Sequence, residues 1–309
     1  MRKPESIARI LATELARRGF RPEPLTVKLV GARMADRGAD EFDSLAQSVA
    51  DIARFDNFCV HHLGAGASLT EFLVSGMGLA KEHLLEVASL GGIAHAIYAA
   101  FDGLLDSVGI APELFGGAPC AGHDSAMPAQ QRLVTWLVEF YFERLRSLSP
   151  KSPRMEAFIE RAIHRLYEAE LQSARGAALK WRTWWRKNAL PIIVMALPGW
   201  LLTCNQSKMR FSEHLLWLGR VGEFFGWIDD FADYEHDYAC GHANWLRHVT
   251  GLPVEAVARR VAAKGQRVIH FWDRRNQAGP ARDTFLVIVW MWLNNRQATT
   301  PANTRALRA

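Results

Sequence analysis

The chain has 309 residues, of which 49% are hydrophobic and 22% are charged, and this composition excludes an intrinsically disordered protein. Its 37 Lys and Arg residues exceed its 32 Asp and Glu residues, but a net charge of +5 without basic clusters gives no nucleic-acid-binding signature. Four scattered cysteines without CxxC spacing exclude a disulfide scaffold and a cysteine zinc site.

No targeting or membrane-spanning segment is recognisable in the sequence. The N-terminal residues are charged and amphipathic, without the continuous apolar stretch of a secretory signal. The most apolar stretch, 190–204, contains Pro191 and Pro198 and is too short to cross a bilayer. We therefore expect a cytoplasmic protein with reduced thiols and no transmembrane helix.

Hydrophobic residues recur with helical periodicity along nearly the whole chain, and no alternating run predicts a strand. Asp40 is the expected cap of the second predicted helix, and Pro191 and Pro198 are expected to bend or break the sixth. We predict a single all-α domain over 1–296, with nine or ten helices, and a mobile tail over 297–309. The predicted helices cover 6–18, 42–58, 79–108, 129–148, 154–188, 190–204, 211–238, 254–275 and 283–294.

Two otherwise apolar helices carry aspartates at a spacing of four residues, which places them on one helix face. Such like charges destabilise a helix, and burial would add the cost of lost hydration, unless cations neutralise them. Carboxylate oxygens without nearby His or Cys favour Mg²⁺. The first cluster is Asp102 and Asp106, and the second is Asp229, Asp230, Asp233 and Asp237.

Two other interpretations compete with a magnesium site. An aspartate pair on a helix is commonly a solvated face, although the second cluster directly follows the apolar residues 224–228. A di-iron bundle would need glutamates and ExxH patterns, whereas the Glu-His neighbours at 213–214 and 235–236 have the wrong spacing.

At these aspartates the sequence resembles the class I isoprenoid synthase family, which comprises trans-prenyl diphosphate synthases and class I terpene cyclases. Asp102 and Asp106 match the outer aspartates of the family's DDxxD motif, and Gly103 replaces the middle one, as in squalene-synthase-like members. The second motif, 229–233, is intact and follows a helix with glycines at 219, 222 and 226. The resemblance covers residues 80–250 and implies the single large helical bundle of that family.

Lys187, between the two motifs, matches the lysine that contacts diphosphate in the family, with Asn188 in place of the usual threonine. Three features of the family are missing. The chain has no basic GGKRxRP-like segment, His242 rather than lysine follows Gly241, and the NSE-type motif of many cyclases is replaced by a second DDxxD. This combination favours a cyclase, or an enzyme that ionises one allylic diphosphate.

The resemblance implies that the two motifs bind two or three Mg²⁺ ions, which clamp the diphosphate of a linear prenyl substrate. Tyr98 and Phe225, four residues before the motifs, are candidate walls of the substrate cavity together with Trp184. The implied metal ligands are Asp102, Asp106, Asp229, Asp233 and Asp237, with Asp230 as a further catalytic residue. The candidate diphosphate donors are Lys187, Arg186, Arg220 and Arg210.

Three functions remain open at this point. The first is a terpene synthase, a carbon–oxygen lyase that converts one prenyl diphosphate to a terpene hydrocarbon or alcohol. The second is a trans-prenyltransferase that condenses an allylic diphosphate with isopentenyl diphosphate or another acceptor, and the third is a non-catalytic partner subunit of the same fold. The family leads us to expect a homodimer, and Trp184 and Trp185, flanked by arginines, suit weak association with a membrane surface.

Overall fold

All regular structure in the described part of the chain is helical, as the periodicity predicts. The computed structural model describes residues 6–46, 56–108, 129–148, 153–174, 180–203, 210–249, 251–276 and 279–295. These ranges contain a short 3₁₀ helix, Trp245–His248, and eleven α-helices. The α-helices are α1 Ile7–Ala16, α2 Pro24–Ala46, α3 Asp56–Val74, α4 Lys81–Val108, α5 Ala129–Leu148, α6 Pro153–Ala174, α7 Trp181–Thr203, α8 Phe211–Ala232, α9 Tyr234–Cys240, α10 Val254–Asp273 and α11 Pro280–Asn295.

Several predicted helices are confirmed within a few residues. The prediction over 129–148 coincides with α5, and those over 79–108, 254–275 and 283–294 correspond to α4, α10 and α11. Ser6 caps α1, because its hydroxyl accepts a hydrogen bond from the Arg9 amide at 3.4 Å. The predicted tail, 297–309, lies outside the described residues.

The predicted helix over 42–58 is wrong, because 42–46 are the end of α2 and 56–58 are the start of α3, while 47–55 lie outside the described residues. Asp40 is not a cap but lies inside α2, which begins at Pro24 and ends at Ala46. The many polar residues in the middle of α2 obscure the helical periodicity of its apolar residues, so the sequence did not predict this helix. The predicted long helix over 154–188 is divided, because α6 ends at Ala174 and α7 begins at Trp181.

The prediction of one continuous helix over 211–238 is wrong, and the second aspartate cluster is divided between two helices. Helix α8 ends at Ala232, and Asp233 joins it to α9 with φ −99° and ψ 0°. Helical hydrogen bonding continues across the junction nevertheless. The Asp233 amide donates to the Asp229 carbonyl at 2.9 Å, and the Asp237 amide donates to the Asp233 carbonyl at 2.8 Å.

Helix α7 is not broken at Pro191 or Pro198, because it runs continuously through both prolines. A proline has no N–H, so Pro198 leaves the carbonyl of Val194 without its helical donor. The hydroxyl of the fully buried Tyr141, on α5, donates to that carbonyl at 3.3 Å. A neighbouring helix thus supplies a donor that α7 lacks, and α7 continues as one buried core helix.

Helix α4 lies in the interior, where α3, α5 and α7 pack around it. Its segment Lys81–Asp102 is, by length and composition, the one candidate for a membrane span among the described residues. Since 72% of this segment is buried inside the protein, it is accounted for as a core helix.

A buried histidine connects three parts of the core. The indole N–H of Trp200 donates to Nδ1 of His214 at 2.6 Å, and Nε2 of His214 lies 2.9 Å from the carbonyl oxygen of Leu73. Nε2 must therefore carry the proton of a neutral ring. Burial lowers the pKa of His214 to about 4, although the Leu73 carbonyl opposes this shift.

We expect His214 to make the fold sensitive to acid. Its pKa is lower in the folded protein than in the unfolded chain, so its contribution is complete above the unfolded value near 6.5 and is lost as the pH falls towards 4. The loss between pH 7 and pH 5 is about 2 kcal/mol. Urea denaturation of wild type and His214→Gln at both pH values measures it. The control is His83→Gln, at an exposed position of α4, which should keep the wild-type pH dependence. The same pH dependence in His214→Gln as in wild type would contradict the assignment.

Candidate functional site

The predicted site residues lie where α4, α6, α7 and α8 meet, and close contact between α7 and α8 sets their arrangement. A Cβ atom at Gly222 would lie 2.5 Å from both the Cα atom of Ala189 and the carbonyl oxygen of Asn188. A Cβ atom at Gly226 would collide with the Asn188 side chain. The glycines therefore let the backbone around Lys187 press against α8.

Lys187 is the centre of the charge cluster. Its Nζ lies 3.0 Å from Oε2 of Glu170, on α6, and 3.5 Å from Oδ1 of Asp102, on α4. Burial by itself lowers the pKa of Lys187, but Glu170 and Asp102 outweigh it and hold the pKa well above the usual value. Lys187 is therefore a permanent cation at this site.

The two carboxylates that contact Lys187 differ in exposure. The side chain of Glu170 is 2% exposed and that of Asp102 is 49% exposed. Burial raises the pKa of Glu170 to about 7, against the opposing effect of Lys187. Asp102 remains accessible to a ligand from solvent, and Glu170 does not.

Asp102 and Asp229, from the two predicted motifs, act on the same groups. Both carboxylates influence the pKa of Tyr98, which burial raises well above its usual value and Glu170 raises further. Both also help to raise the pKa of Lys187. The first positions of the two motifs therefore lie close enough to act on the same two side chains, Tyr98 and Lys187.

Asp230 is buried next to Asp229 and is held by two hydrogen bonds. Its Oδ2 accepts a hydrogen bond from the Trp184 indole at 2.7 Å, and its Oδ1 accepts one from the Trp245 amide at 3.1 Å. Burial, with Asp229 next, raises the pKa of Asp230 well above its usual value, whereas these two donors lower it. Trp184, the predicted wall residue, lies in a stack with the rings of Trp181 and Trp245, and its indole holds Asp230.

Asp229 receives an aromatic donor from the C-terminal helix. The indole N–H of Trp292, on α11, donates to Oδ1 of Asp229 at 3.3 Å. The ring of Phe225 lies 5.6 Å from that of Trp292 and 5.7 Å from that of Phe285. Phe225 is thus buried in an aromatic wall that reaches the second motif.

The remaining aspartates occupy different positions. Oδ2 of Asp237 accepts from the side-chain Nδ2 of Asn244 at 2.9 Å, and Oδ1 lies 3.7 Å from Nδ1 of His242. Burial raises the pKa of Asp237, and the Asn244 hydrogen bond opposes the shift. Asp233 is the helix junction, and Asp106 lies in the last turn of α4, where only its backbone is described.

The structure separates the candidate arginines. Arg186 is half-buried beside Lys187 on α7, and Arg210 is exposed at the residue preceding α8. Arg220 is exposed on the side of α8 that faces α10, where it lines a pocket of about 280 Å³ with Glu223, Lys264, Arg267 and Val268. Arg220 therefore does not join Lys187 and Asp229.

The described residues contain no group of three or more His, Cys, Asp or Glu side chains arranged to hold a metal ion. The side chain of Asp106 is outside that search. The available donors, Asp102 and Asp229, are carboxylates, and they are of the kind that Mg²⁺ prefers.

Sequence reasoning missed four residues that shape this site, namely Glu170, Trp245, Asn244 and Trp292. Glu170 falls among polar residues on an amphipathic helix, where nothing distinguishes a buried glutamate from a solvated one. Asn244 could have been suspected, since an asparagine ahead of a short helix is a common cap, and its side chain accepts from the Leu246 amide.

The comparisons with known protein families, curated proteins and solved structures find no match for the chain.

Proposed function

We propose that this chain is a magnesium-dependent class I terpene synthase, which ionises one linear allylic prenyl diphosphate and releases a terpene hydrocarbon or alcohol. The observation that carries the proposal is the position of Lys187, a permanent cation that contacts Asp102 on α4 and Glu170 on α6. A fixed cation next to accessible carboxylates suits a ligand that is a polyanion and brings metal ions with it.

The donor set fits Mg²⁺ in kind. Asp102 is half-exposed and Asp229 is partly exposed, so both can be reached by an ion from solvent. We assign Asp102 and Asp229 as ligands, with Asp106, Asp233 and Asp237 as the further candidates that the resemblance implies. When bound, Mg²⁺ would stabilise the negative charge that develops on the departing diphosphate.

The chain's own residues perform the other tasks. Lys187 donates hydrogen bonds to the departing phosphate oxygens. Trp292 and Trp184 fix the orientations of Asp229 and Asp230 through their indole N–H groups. The rings of Phe225 and Trp292 pack together beside the second motif, and aromatic side chains there would exclude water and stabilise a carbocation.

The direct test is diphosphate release by the purified protein with Mg²⁺ and geranyl, farnesyl or geranylgeranyl diphosphate, each supplied alone, with mass spectrometry of the organic extract. We expect release together with a cyclic product from one substrate. Release only after isopentenyl diphosphate is added would instead assign a prenyltransferase. Silence under both conditions would contradict catalysis and favour the non-catalytic subunit.

In the same assay we expect Asp102→Ala and Asp229→Ala each to reduce release by about 100-fold or more, because charge stabilisation at the leaving group is lost. EDTA should abolish release by the wild type. Asp283→Ala, at an exposed position of α11, is the control and should behave as wild type. Full turnover by both motif variants would show that the metal assignment is wrong.

A further inference from the structure

Glu170 combines two properties that are costly for a glutamate. Its side chain is 2% exposed, and its Oε1 has no hydrogen-bond partner among the described residues. Burying a carboxylate requires compensation, and an apolar side chain of similar volume would commonly serve the fold equally well or better. Packing alone therefore does not account for a glutamate at this position of α6.

The contact with Lys187 offers an explanation. Lysine is a compact charge on a flexible stem, so its ammonium group is poorly positioned unless a partner holds it. Among the described residues Lys187 has two carboxylate partners, of which Glu170 is the closer, at 3.0 Å, and the buried one. Asp102, at 3.5 Å, is half-exposed and is assigned to the metal.

We propose that Glu170 is a positioning residue, which anchors the Lys187 ammonium group so that it meets the diphosphate while Asp102 binds the metal ion. The ligand in this inference rests on the proposed function, whereas the anchoring rests on the observed contacts. Without Glu170, the carboxylate contact that remains to the ammonium group among the described residues is the half-exposed Asp102. The anchor thus preorganises a donor for the leaving group.

The test is a double-mutant cycle with Glu170→Gln, Lys187→Met and the double variant, using the prenyl diphosphate that the wild type accepts. Because a positioning residue acts through its partner, we expect Glu170→Gln to lower kcat by about 10- to 100-fold with little change in KM. The double variant should then be no slower than Lys187→Met. Losses that multiply in the double variant, or a wild-type kcat in Glu170→Gln, would overturn the proposal.

Two further variants guard the cycle against a folding defect. Glu168→Gln removes a half-exposed carboxylate from the same helix and should leave kcat unchanged. If Glu170→Gln does not fold, Glu170→Asp keeps the charge on a shorter side chain. We expect Glu170→Asp to lower kcat when Lys187 is present and to leave kcat unchanged when it is added to Lys187→Met. An equal loss of kcat with and without Lys187 would again reject the anchor.

Calorimetric titration with pyrophosphate and Mg²⁺ separates this inference from the proposed function. Binding by the wild type, with weaker binding by Lys187→Met, supports an anion site at Lys187. Absence of both pyrophosphate binding and diphosphate release in the wild type would reject the proposed function and the inference together. Binding and release by the wild type combined with an additive cycle would reject the anchoring role alone.

Discussion

Replacing Lys187 by methionine should lower the rate of diphosphate release by about 100- to 1,000-fold, the cost of removing one donor from a developing oxyanion. Methionine keeps an unbranched chain of similar length, so the packing of α7 against α8 should persist. Circular dichroism and thermal unfolding would check the fold, and steady-state release of diphosphate would measure the effect. Wild-type turnover in this variant would show that Lys187 does not act on the departing diphosphate and would contradict the proposed function.

The same variant should also change how stability depends on pH. Without the lysine, a charged Glu170 has no cation to compensate for its burial, and its pKa, already about 7 in the wild type, rises further. A carboxyl whose folded pKa is raised destabilises the fold as the pH rises, since the unfolded chain releases the proton more easily. The deficit in melting temperature should therefore be larger at pH 8 than at pH 6.

Lys264 is the matched control for both effects. It pairs with Glu223 between α10 and α8, on the side of α8 where Arg220 lies. Lys264→Met should lose a partly exposed ion pair, with a small change in stability and no change in the release of diphosphate. An equal loss of turnover in both variants would mean that Lys187 has no special role.

The second large effect is expected from Gly222→Ala. The added Cβ would lie 2.5 Å from the Ala189 Cα atom and the Asn188 carbonyl oxygen, so α7 must move away from α8. Overpacking of this kind costs about 1–3 kcal/mol, which exceeds the gain of about 1 kcal/mol from replacing glycine in a helix. Because Lys187 precedes the displaced residues directly, we expect turnover to fall as well.

Gly31→Ala tests whether the packing, rather than the residue type, is responsible. A Cβ atom at Gly31, on α2, would meet nothing within 4 Å. This variant should be more stable than wild type by up to about 1 kcal/mol, with unchanged turnover. Urea denaturation of the two variants measures the difference, and destabilisation of equal size in both would contradict the close contact of α7 with α8.

The elements that could be predicted are those whose signal is local. Periodicity suffices for α4, α5 and α10, and aspartates in apolar surroundings indicate where two of the converging helices meet. The prolines of α7 misled the prediction, because a local rule cannot know that Tyr141 supplies a donor from another helix. Likewise, the polar sequence of α2 gives little sign of a helix 23 residues long.

In the site, the sequence predicted charges but not the groups that hold them. Lys187, Asp102 and Asp229 are at positions where residue type and spacing are informative. Glu170 and Trp292 reach the same space from α6 and α11, and only tertiary packing brings them there. The residues that flank Glu170 and Trp292 in the sequence therefore do not indicate that these two side chains contact the site.

The contact of Tyr141 with the Val194 carbonyl constrains the order in which Tyr141 and Pro198 can change during evolution. While the proline is present, loss of the tyrosine hydroxyl would leave the buried Val194 carbonyl without a donor. If alanine replaced the proline, the helix would regain its own amide and the hydroxyl would become dispensable. In any lineage that carries this fold, the tyrosine should therefore be gained before the proline and lost after it, so that the two positions change in a fixed sequence.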